Sequence, residues 1–273
     1  MTERPDDTPA TLAAAAMTVL NTANATAKCA ATATFAARWR RGEICDVGKG
    51  APVARPQRPD CPNLVRPAEV PRRKINRGKA GRISQFHALA HIELNAVDLA
   101  WDIGALFTDQ NLPRDFYDDW VRVADEEARH FELLAARLAE FDATYGDLPA
   151  HDGLWDSAVE TANDLAARLA VVPLVLEARG LDVTPMMIDK LRSIDDTVSA
   201  SVLETIYHDE IGHVEIGLRW FRFECTRRNA DPATLWKDLV KLHFRGALKP
   251  PFNILARDAA GVPQHWYLTT PAT

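Results

Sequence analysis

The sequence predicts an all-α fold organised around a four-helix bundle. Four long stretches place apolar residues at three- and four-residue spacing, as one buried face of a helix requires. No stretch of useful length alternates apolar and polar residues, as a half-buried strand would. A length of 273 residues, 47% of them hydrophobic, is enough for a sizeable core.

Residues 1–80 are predicted to form an N-terminal extension packed on the bundle. Its start, Met1–Asp7, is acidic where a signal peptide is basic, and the Ala- and Thr-rich residues that follow are too weakly apolar for a membrane span. We expect a helix over about 10–40 that covers the surface or caps the bundle. Six prolines between residues 45 and 75 favour an extended segment that wraps the surface.

Residues 81–273 are predicted to form the bundle with a C-terminal helix and tail. The helices are expected over about 84–107, 114–142, 157–180, 187–228 and 232–245. The first two are joined by the short link Thr108–Pro113, so they should be antiparallel neighbours. Gly180 and Pro185 are expected to separate the third helix from the fourth. A long middle connection between two antiparallel pairs is the ferritin-like arrangement.

Six residues repeat a metal-binding pattern across the four helices. In each half a single Glu precedes a Glu-x-x-His motif, by 34 residues in the first half and by 33 in the second. All six fall on the apolar stripes of their helices. One Glu from each of two helices and Glu-x-x-His from each of the other two form the ligand set of a dinuclear site in a bundle. The predicted metal ligands are Glu93, Glu127, His130, Glu177, Glu210 and His213.

Two cations would make such a site electrically neutral, because the four carboxylates would balance the metal charge. Carboxylate and imidazole ligands without thiolates suit two metal ions, with iron expected and Fe/Mn, Mn or Zn as alternatives. Metal binding should stabilise the fold and release protons, since the empty site crowds four acidic groups together. One Glu-x-x-His alone is typically structural or exposed, so the repetition is what favours the metal site.

Several polar residues near the predicted ligands have two interpretations. Glu126 and Asp209 precede the two Glu-x-x-His motifs and either accept a hydrogen bond from a ligand histidine or belong to a solvated face. Tyr207, one turn before the second motif, is expected to be a core residue or a support for the ligands. Pro173 either kinks its helix to shape a cavity or simply packs. The histidines off the ligand stripes are expected to be polar packing residues: His87, His91 and His208.

The overall charge argues against a nucleic-acid or membrane partner. The chain carries a net charge of −6, and its isoelectric point is near 5.8. A local basic run is expected to be a solvated segment leading into the first bundle helix: Arg72, Arg73, Lys74, Arg77, Lys79 and Arg82. The four cysteines form no C-x-x-C pair, which favours a reducing, cytoplasmic location over a disulfide framework.

Two local motifs resemble those of a known class of proteins. Glu126-Glu127-Ala-Arg-His130 and Asp209-Glu210-Ile-Gly-His213 resemble the (D/E)-E-x-R-H motifs of ferritin-like di-iron carboxylate proteins, although Gly212 stands where Arg is common. The chain is also similar, over nearly its whole length, to the domain-of-unknown-function 455 family of ferritin-like proteins. The stretches that carry this similarity are His87–Asp102, Tyr145–Trp155, Glu177–Pro185 and Pro250–Asn253.

This resemblance implies the ferritin-like fold and the dinuclear metal site, but it does not imply a reaction. The family is distantly similar to a tRNA hydroxylase that oxidises a prenylated adenosine. The acidic charge of this chain argues against transferring that substrate, and a fold does not fix a function.

The predicted activity is that of an O2-activating oxidoreductase, a di-iron hydroxylase or oxidase acting on a small-molecule substrate. The sequence contains no flavin or iron–sulfur motif, so an external electron donor would supply any reducing equivalents needed. The alternatives are a metal-binding or storage protein without turnover and a two-metal hydrolase. A homo-oligomer is compatible with the sequence, which identifies neither the substrate nor any catalytic residue beyond the metal ligands.

Overall fold

The computed structural model describes residues 9–70 and 78–268. Within these ranges the secondary structure is helical apart from two isolated backbone bridges, which confirms the all-α prediction. No helix in these ranges has both the length and the apolar character needed to cross a bilayer. Some residues considered above lie outside the described part of the chain: Met1–Asp7, Pro71, Arg72, Arg73, Lys74 and Arg77.

The chain divides into two compact units. The first contains Met1–Cys61 and Ile92–Glu132, and the second contains Pro62–His91 and Leu133–Thr273. Two long helices, α3 (Lys79–Leu106) and α4 (Arg114–Ala139), contribute residues to both units. They confirm the first two predicted bundle helices, with ends a few residues from those expected. The predicted domains, 1–80 and 81–273, stay predictions.

The N-terminal part of the first unit is a pair of helices rather than one helix. The expected helix over 10–40 is divided into α1 (Leu12–Leu20) and α2 (Ala25–Arg40), which pack on each other. The interruption follows from local chemistry, because the Asn24 side chain accepts a hydrogen bond from the backbone N–H of Ala27 at 2.9 Å and caps α2. Six apolar residues of α1 are buried, so this helix forms part of a core: Leu12, Ala13, Ala15, Ala16, Val19 and Leu20.

Polar side chains also hold α2 in the first unit. Trp101 Nε1 on α3 donates a hydrogen bond to Thr32 Oγ1 at 3.1 Å. Lys28 forms a fully buried ion pair with Asp98, whose other oxygen lies 3.6 Å from the guanidinium of Arg58. Burial raises the pKa of Asp98, while the charges of Lys28 and Arg58 act against that rise. The sequence analysis did not identify this ion pair.

The proline-rich segment is extended, as predicted. Between residues 45 and 70, only the short 3-10 turn Pro67–Glu69 is regular. In the first unit, Gly50 donates its N–H to Thr108 Oγ1 at 3.1 Å, and Gln57 donates its N–H to the Leu20 carbonyl at 2.7 Å. A Cβ at position 50 would stand 1.8 Å from the Ala105 carbonyl oxygen, so only glycine permits this approach.

The second unit is built from shorter helices around one long helix. Besides its parts of α3 and α4, the unit contains α5 (Gly153–Glu160), α6 (Leu165–Val171), a π-helical turn (Val172–Glu177), α7 (Ala178–Arg192), α8 (Thr197–Arg227), α9 (Pro232–His243), α10 (Ile254–Ala259) and α11 (Gln264–Tyr267). α7 packs on α8, while α6 contacts both α8 and α9, and the C-terminal α10 contacts α7 and α8.

The expected boundary between the third and fourth bundle helices is wrong. α7 continues through Gly180 and Pro185, and the break falls at residues 193–196. A proline inside a helix leaves the carbonyl four residues earlier without its usual N–H donor. Here the side chain of Asn253 donates to that carbonyl, Leu181 O, at 3.1 Å, so the helix continues without an unsatisfied group.

The expected third helix, 157–180, is also divided. α5 ends at Glu160, and Asp164 caps the following helix by accepting hydrogen bonds from the backbone N–H groups of Ala166 and Ala167. After α6, the chain enters the π-helical turn that carries Glu177. The last predicted helix, 232–245, agrees with α9 to within two residues.

Candidate metal centre

The first unit brings three of the predicted ligands together. Glu93 lies on α3, and Glu127 and His130 lie one turn apart on α4. His130 Nδ1 lies 3.3 Å from Glu127 Oε2 and 3.8 Å from Glu93 Oε2. One ligand atom from each of these residues lies within 4.8 Å of the others, so this cluster could hold a metal ion.

The burial of this cluster is what makes it chemically unusual. Glu127 and His130 are both 0% exposed, and Glu93 is 4% exposed. Buried residues continue the same helical stripes on either side, among them Val97 and Val123. Two carboxylates in such surroundings are costly unless their charge is balanced by a cation or by protons.

The donor atoms suit a hard or borderline divalent cation. Two ligand atoms each about 2.1 Å from one metal stand roughly 3.0–3.4 Å apart at octahedral or tetrahedral angles. The separations around His130 Nδ1, 3.3 and 3.8 Å, are close to that range. Carboxylate oxygens with an imidazole nitrogen, and no cysteine sulfur among them, are ligands typical of Fe, Mn and Zn. The residues therefore fit a metal ion.

The second unit holds the other three predicted ligands. His213 Nδ1 lies 3.7 Å from Glu210 Oε2 on α8, so the second Glu-x-x-His presents the same ring nitrogen to its glutamate as the first. His213 is 0% exposed, whereas the Glu210 side chain is 12% exposed with its Oε2 atom buried. Glu177 is half-buried at the end of the π-helical turn, and its Oε2 atom is also buried.

A proline and a glycine shape the turn before Glu177. Pro173 lies in the π-helical turn, where the helix locally widens. Its ring packs on α8 at Gly217, where a Cβ would stand 2.3 Å from Pro173 Cβ. The sequence analysis left open whether Pro173 kinks its helix or simply packs, and the structure adds that its ring lies against Gly217.

The two acidic residues that precede the motifs lie near charged or titratable side chains. Glu126 Oε1 lies 3.9 Å from Arg122 Nε, and Asp209 Oδ1 lies 3.8 Å from His208 Nδ1. Their predicted contact with the ligand histidines stays a prediction. The hydroxyl of Tyr207 accepts a hydrogen bond from Asn253 Nδ2 at 2.8 Å. The sequence analysis gave Asn253 no role, although it ends one of the stretches that carry the family resemblance.

Two histidines in the first half of α3 form hydrogen bonds with the loop after α4. His91 Nε2 faces the His151 carbonyl at 3.0 Å and therefore donates to it, which leaves Nδ1 to accept from the Tyr145 hydroxyl at 2.9 Å. His87 Nε2 accepts the backbone N–H groups of Gly146 and Leu148. Both histidines are buried, in agreement with the predicted packing role, whereas the His208 side chain is 88% exposed.

A cavity opens beside the π-helical turn in the second unit. Its volume is about 620 Å³, and its walls include Leu176, the residue immediately before Glu177. Both apolar and titratable side chains line it, among them Leu154, Phe244, His151, His243, Glu160 and Arg245. Cavities of this size accept small organic molecules. The sequence gave no signal for this cavity, because α5 and the segment after α9 form it together.

Comparison with known proteins identifies relatives of this chain. An uncharacterized protein of Haemophilus influenzae is 39% identical over 213 residues, which cover 76% of this chain and 73% of that protein. No solved structure matches the chain. Residues 21–268 match the family model described as "Protein of unknown function (DUF455)". The chain therefore belongs to the DUF455 family, as its sequence motifs indicated.

Proposed function

We propose that this protein is a dinuclear metal protein of ferritin-like architecture that activates O2 to oxidise a small molecule. The buried cluster of Glu93, Glu127 and His130 is the observation that carries the proposal. The matching pair Glu210–His213, with the same Nδ1-to-carboxylate arrangement, supports a second half-site. The six residues would together hold two divalent cations, with the four carboxylates balancing their charge.

The ligand set favours iron among the possible metals. Imidazole and carboxylate ligands support redox-active Fe or Mn as well as Zn, and two ferrous ions would supply electrons for the reduction of O2. A net hydroxylation, R–H + O2 + 2 e⁻ + 2 H⁺ → R–OH + H2O, balances only with an electron donor. We propose that a separate reductase delivers these electrons and that the protein works in the reducing cytosol, where its four free thiols would persist.

The protein's own residues would hold the ligands and limit the access of water. Glu127, His130 and His213 are fully buried, so their orientation is set by packing rather than by solvent. The cavity beside Leu176 offers room for a small-molecule substrate next to the turn that carries Glu177. A site enclosed in this way favours reactions that bulk water would quench.

Metal stoichiometry is the first test. The full chain, produced in iron-replete cells, should contain about two metal ions, measured by mass spectrometry and assigned by Mössbauer spectroscopy. Glu127→Gln and Glu210→Gln should each reduce the metal content, because an amide is a weaker ligand than a carboxylate.

Each helix also supplies a matched control. Glu132 on α4 and Glu215 on α8 are exposed and lie five residues after the two tested ligands. Glu132→Gln and Glu215→Gln should retain both metals. Full metal content in Glu127→Gln would refute the first half-site, and full content in Glu210→Gln would refute the second.

Reactivity of the metal-loaded protein distinguishes the proposed oxidoreductase from the two alternative functions. The reduced iron protein should consume O2 in amounts that match the electrons supplied. Accumulation of many irons per chain as a mineral would instead identify a storage protein. Turnover of a phosphate or ester without O2, with Mn or Zn bound, would identify a two-metal hydrolase.

A further inference from the structure

Asn253 joins α7, which begins immediately after Glu177, to α8, which carries Glu210 and His213. Its side-chain Nδ2 donates to the Leu181 carbonyl on α7 at 3.1 Å and lies 2.8 Å from the Tyr207 hydroxyl oxygen on α8. Leu181 follows Glu177 by four residues, and Tyr207 precedes Glu210 by three. Because an amide NH2 group has two hydrogens, one side chain makes both contacts at once. These two contacts are called the Asn253 bridge.

The bridge exists because Pro185 removes a hydrogen-bond donor. In an uninterrupted helix the N–H of residue 185 would donate to the Leu181 carbonyl, but proline has no N–H. The carbonyl is therefore available to a donor from outside the helix, and Asn253 Nδ2 provides it. Pro185 thus leaves the Leu181 carbonyl as the acceptor through which Asn253 binds α7.

Other bonds fix Asn253 from both sides. Its Oδ1 accepts the Ala256 N–H at 3.2 Å at the start of α10, and its own N–H donates to Asp182 Oδ1 at 2.9 Å. Asp182 also pairs through both oxygens with the buried guanidinium of Arg257, at 2.8 and 2.7 Å. On the preceding side, Arg179 donates to the carbonyls of Lys249 and Pro251, at 2.8 and 3.0 Å.

We propose that Asn253 is a positioning residue for the metal centre, and that its bridge fixes the separation of Glu177 from Glu210. This inference rests on the proposed function, because it assigns the C-terminal segment to the geometry of the same site. A metal site tolerates ligand displacements of only about 0.5 Å. A hydrogen-bonded link between α7 and α8 close to Glu177 and Glu210 would restrict such displacements. The bridge lies about one turn from each ligand.

Asn253→Asp tests the bridge with little change in volume. A carboxylate cannot donate to the Leu181 carbonyl, so the side-chain link to α7 is lost, although the Tyr207 hydroxyl can turn and donate to it. The carboxylate retains the cap on Ala256, and the backbone bond to Asp182 is unchanged. Asn63→Asp, at an exposed position, is the charge-matched control. Both variants and the wild type would be titrated with Co(II), whose visible spectrum reports coordination. We expect about ten-fold weaker Co(II) affinity and an altered spectrum in Asn253→Asp alone.

Pro185→Ala distinguishes positioning from mere stability. The alanine N–H can satisfy the Leu181 carbonyl within the helix, so the double variant Pro185→Ala/Asn253→Asp should regain thermal stability. Its Co(II) affinity should stay about ten-fold low, because the side chain of residue 253 is still not bonded to the Leu181 carbonyl on α7. Joint recovery of stability and affinity would show that Asn253 only satisfies a carbonyl, and would overturn the proposal.

A milder variant covers the possibility that Asn253→Asp does not fold. Tyr207→Phe removes one hydroxyl and should weaken Co(II) binding about three-fold, the effect of one hydrogen bond. Wild-type affinity in both Asn253→Asp and Tyr207→Phe would overturn the bridge while the metal centre stands. Failure of the wild type itself to bind Co(II) would overturn the proposed function, and the bridge as a positioning device with it.

Discussion

The contact of Gly217 with Pro173 allows a prediction with a matched control. A Cβ at position 217 would stand 2.3 Å from Pro173 Cβ and 2.5 Å from Pro173 Cγ. The proline ring cannot rotate away, because its φ angle is fixed and it lies in the π-helical turn. The added methyl group must therefore push α8 away from the turn that carries Glu177.

Two opposing effects set the change in the free energy of unfolding that Gly217→Ala causes. Replacing a helical glycine with alanine favours folding by about 0.5–1 kcal/mol, because the unfolded chain loses freedom. Overpacking a rigid contact costs roughly 1–3 kcal/mol. Gly217→Ala should therefore lower the free energy of unfolding by about 0–2.5 kcal/mol, with a central value of about 1 kcal/mol. Gly180→Ala, in α7 with nothing near its added Cβ, should raise that free energy by about 0.5–1 kcal/mol.

Urea unfolding followed by circular dichroism would measure both variants. The helix-propensity effect is common to the two substitutions, so their difference isolates the clash with Pro173. The difference should persist in metal-free protein, because it arises from packing. Equal stability of the two variants would show that the π-helical turn yields easily, and would refute the argument from a rigid contact.

Three further predictions concern buried charges and thiols. Lys28→Met leaves Asp98 buried without its ammonium partner, so it should lower the free energy of unfolding by roughly 3–5 kcal/mol. The double variant Lys28→Met/Asp98→Leu should recover much of that loss. Burial acts to raise the pKa of Asp196, but hydrogen bonds from Arg82 and Ser199 and the charge of Arg137 outweigh it and hold that pKa below its usual range. Because the folded pKa is depressed, Asp196 stabilises the protein above about pH 4 and loses that effect as the pH falls. Asp196→Asn should therefore lower the free energy of unfolding by roughly 3 kcal/mol at pH 7 and by progressively less below about pH 4. Unfolding curves of both proteins between these pH values would measure this, and a difference that does not change with pH would contradict the assignment. Finally, burial raises the pKa of the Cys29 thiol to about 12 and that of the Cys225 thiol to about 11. When native protein is treated with iodoacetamide, mass spectrometry should therefore find alkylation at the exposed Cys45 and Cys61 alone.

Local spacing was sufficient to predict that the side chains of Glu127 and His130 are buried. Glu127 and His130 lie three residues apart in a helix whose other stripe residues are apolar, so a single helix already places both on its inner face. The structure confirms the burial for α4, where both side chains are 0% exposed. The repeat of Glu and Glu-x-x-His predicted the other four ligands by the same local rule, and the role of all six as ligands stays a prediction.

Helix ends were predicted less well where a distant partner decides them. Pro185 carries the ordinary signal for a helix end, and within its own segment nothing contradicts that signal. The donor that satisfies the Leu181 carbonyl comes from Asn253, 72 residues further along the chain. Likewise, Lys28 looks like a solvent-exposed residue until α2 brings it to Asp98, 70 residues away.

The sequence by itself determined the helical class, the family and the burial of Glu127, His130 and His213, because a helix face depends on neighbours three or four positions apart. The tertiary structure decided that α7 continues to Arg192, that Pro173 rests on Gly217, and that a cavity opens beside Leu176. Each of those features depends on a hydrogen bond or a steric contact between residues far apart in the chain, and such contacts exist only once the helices have packed.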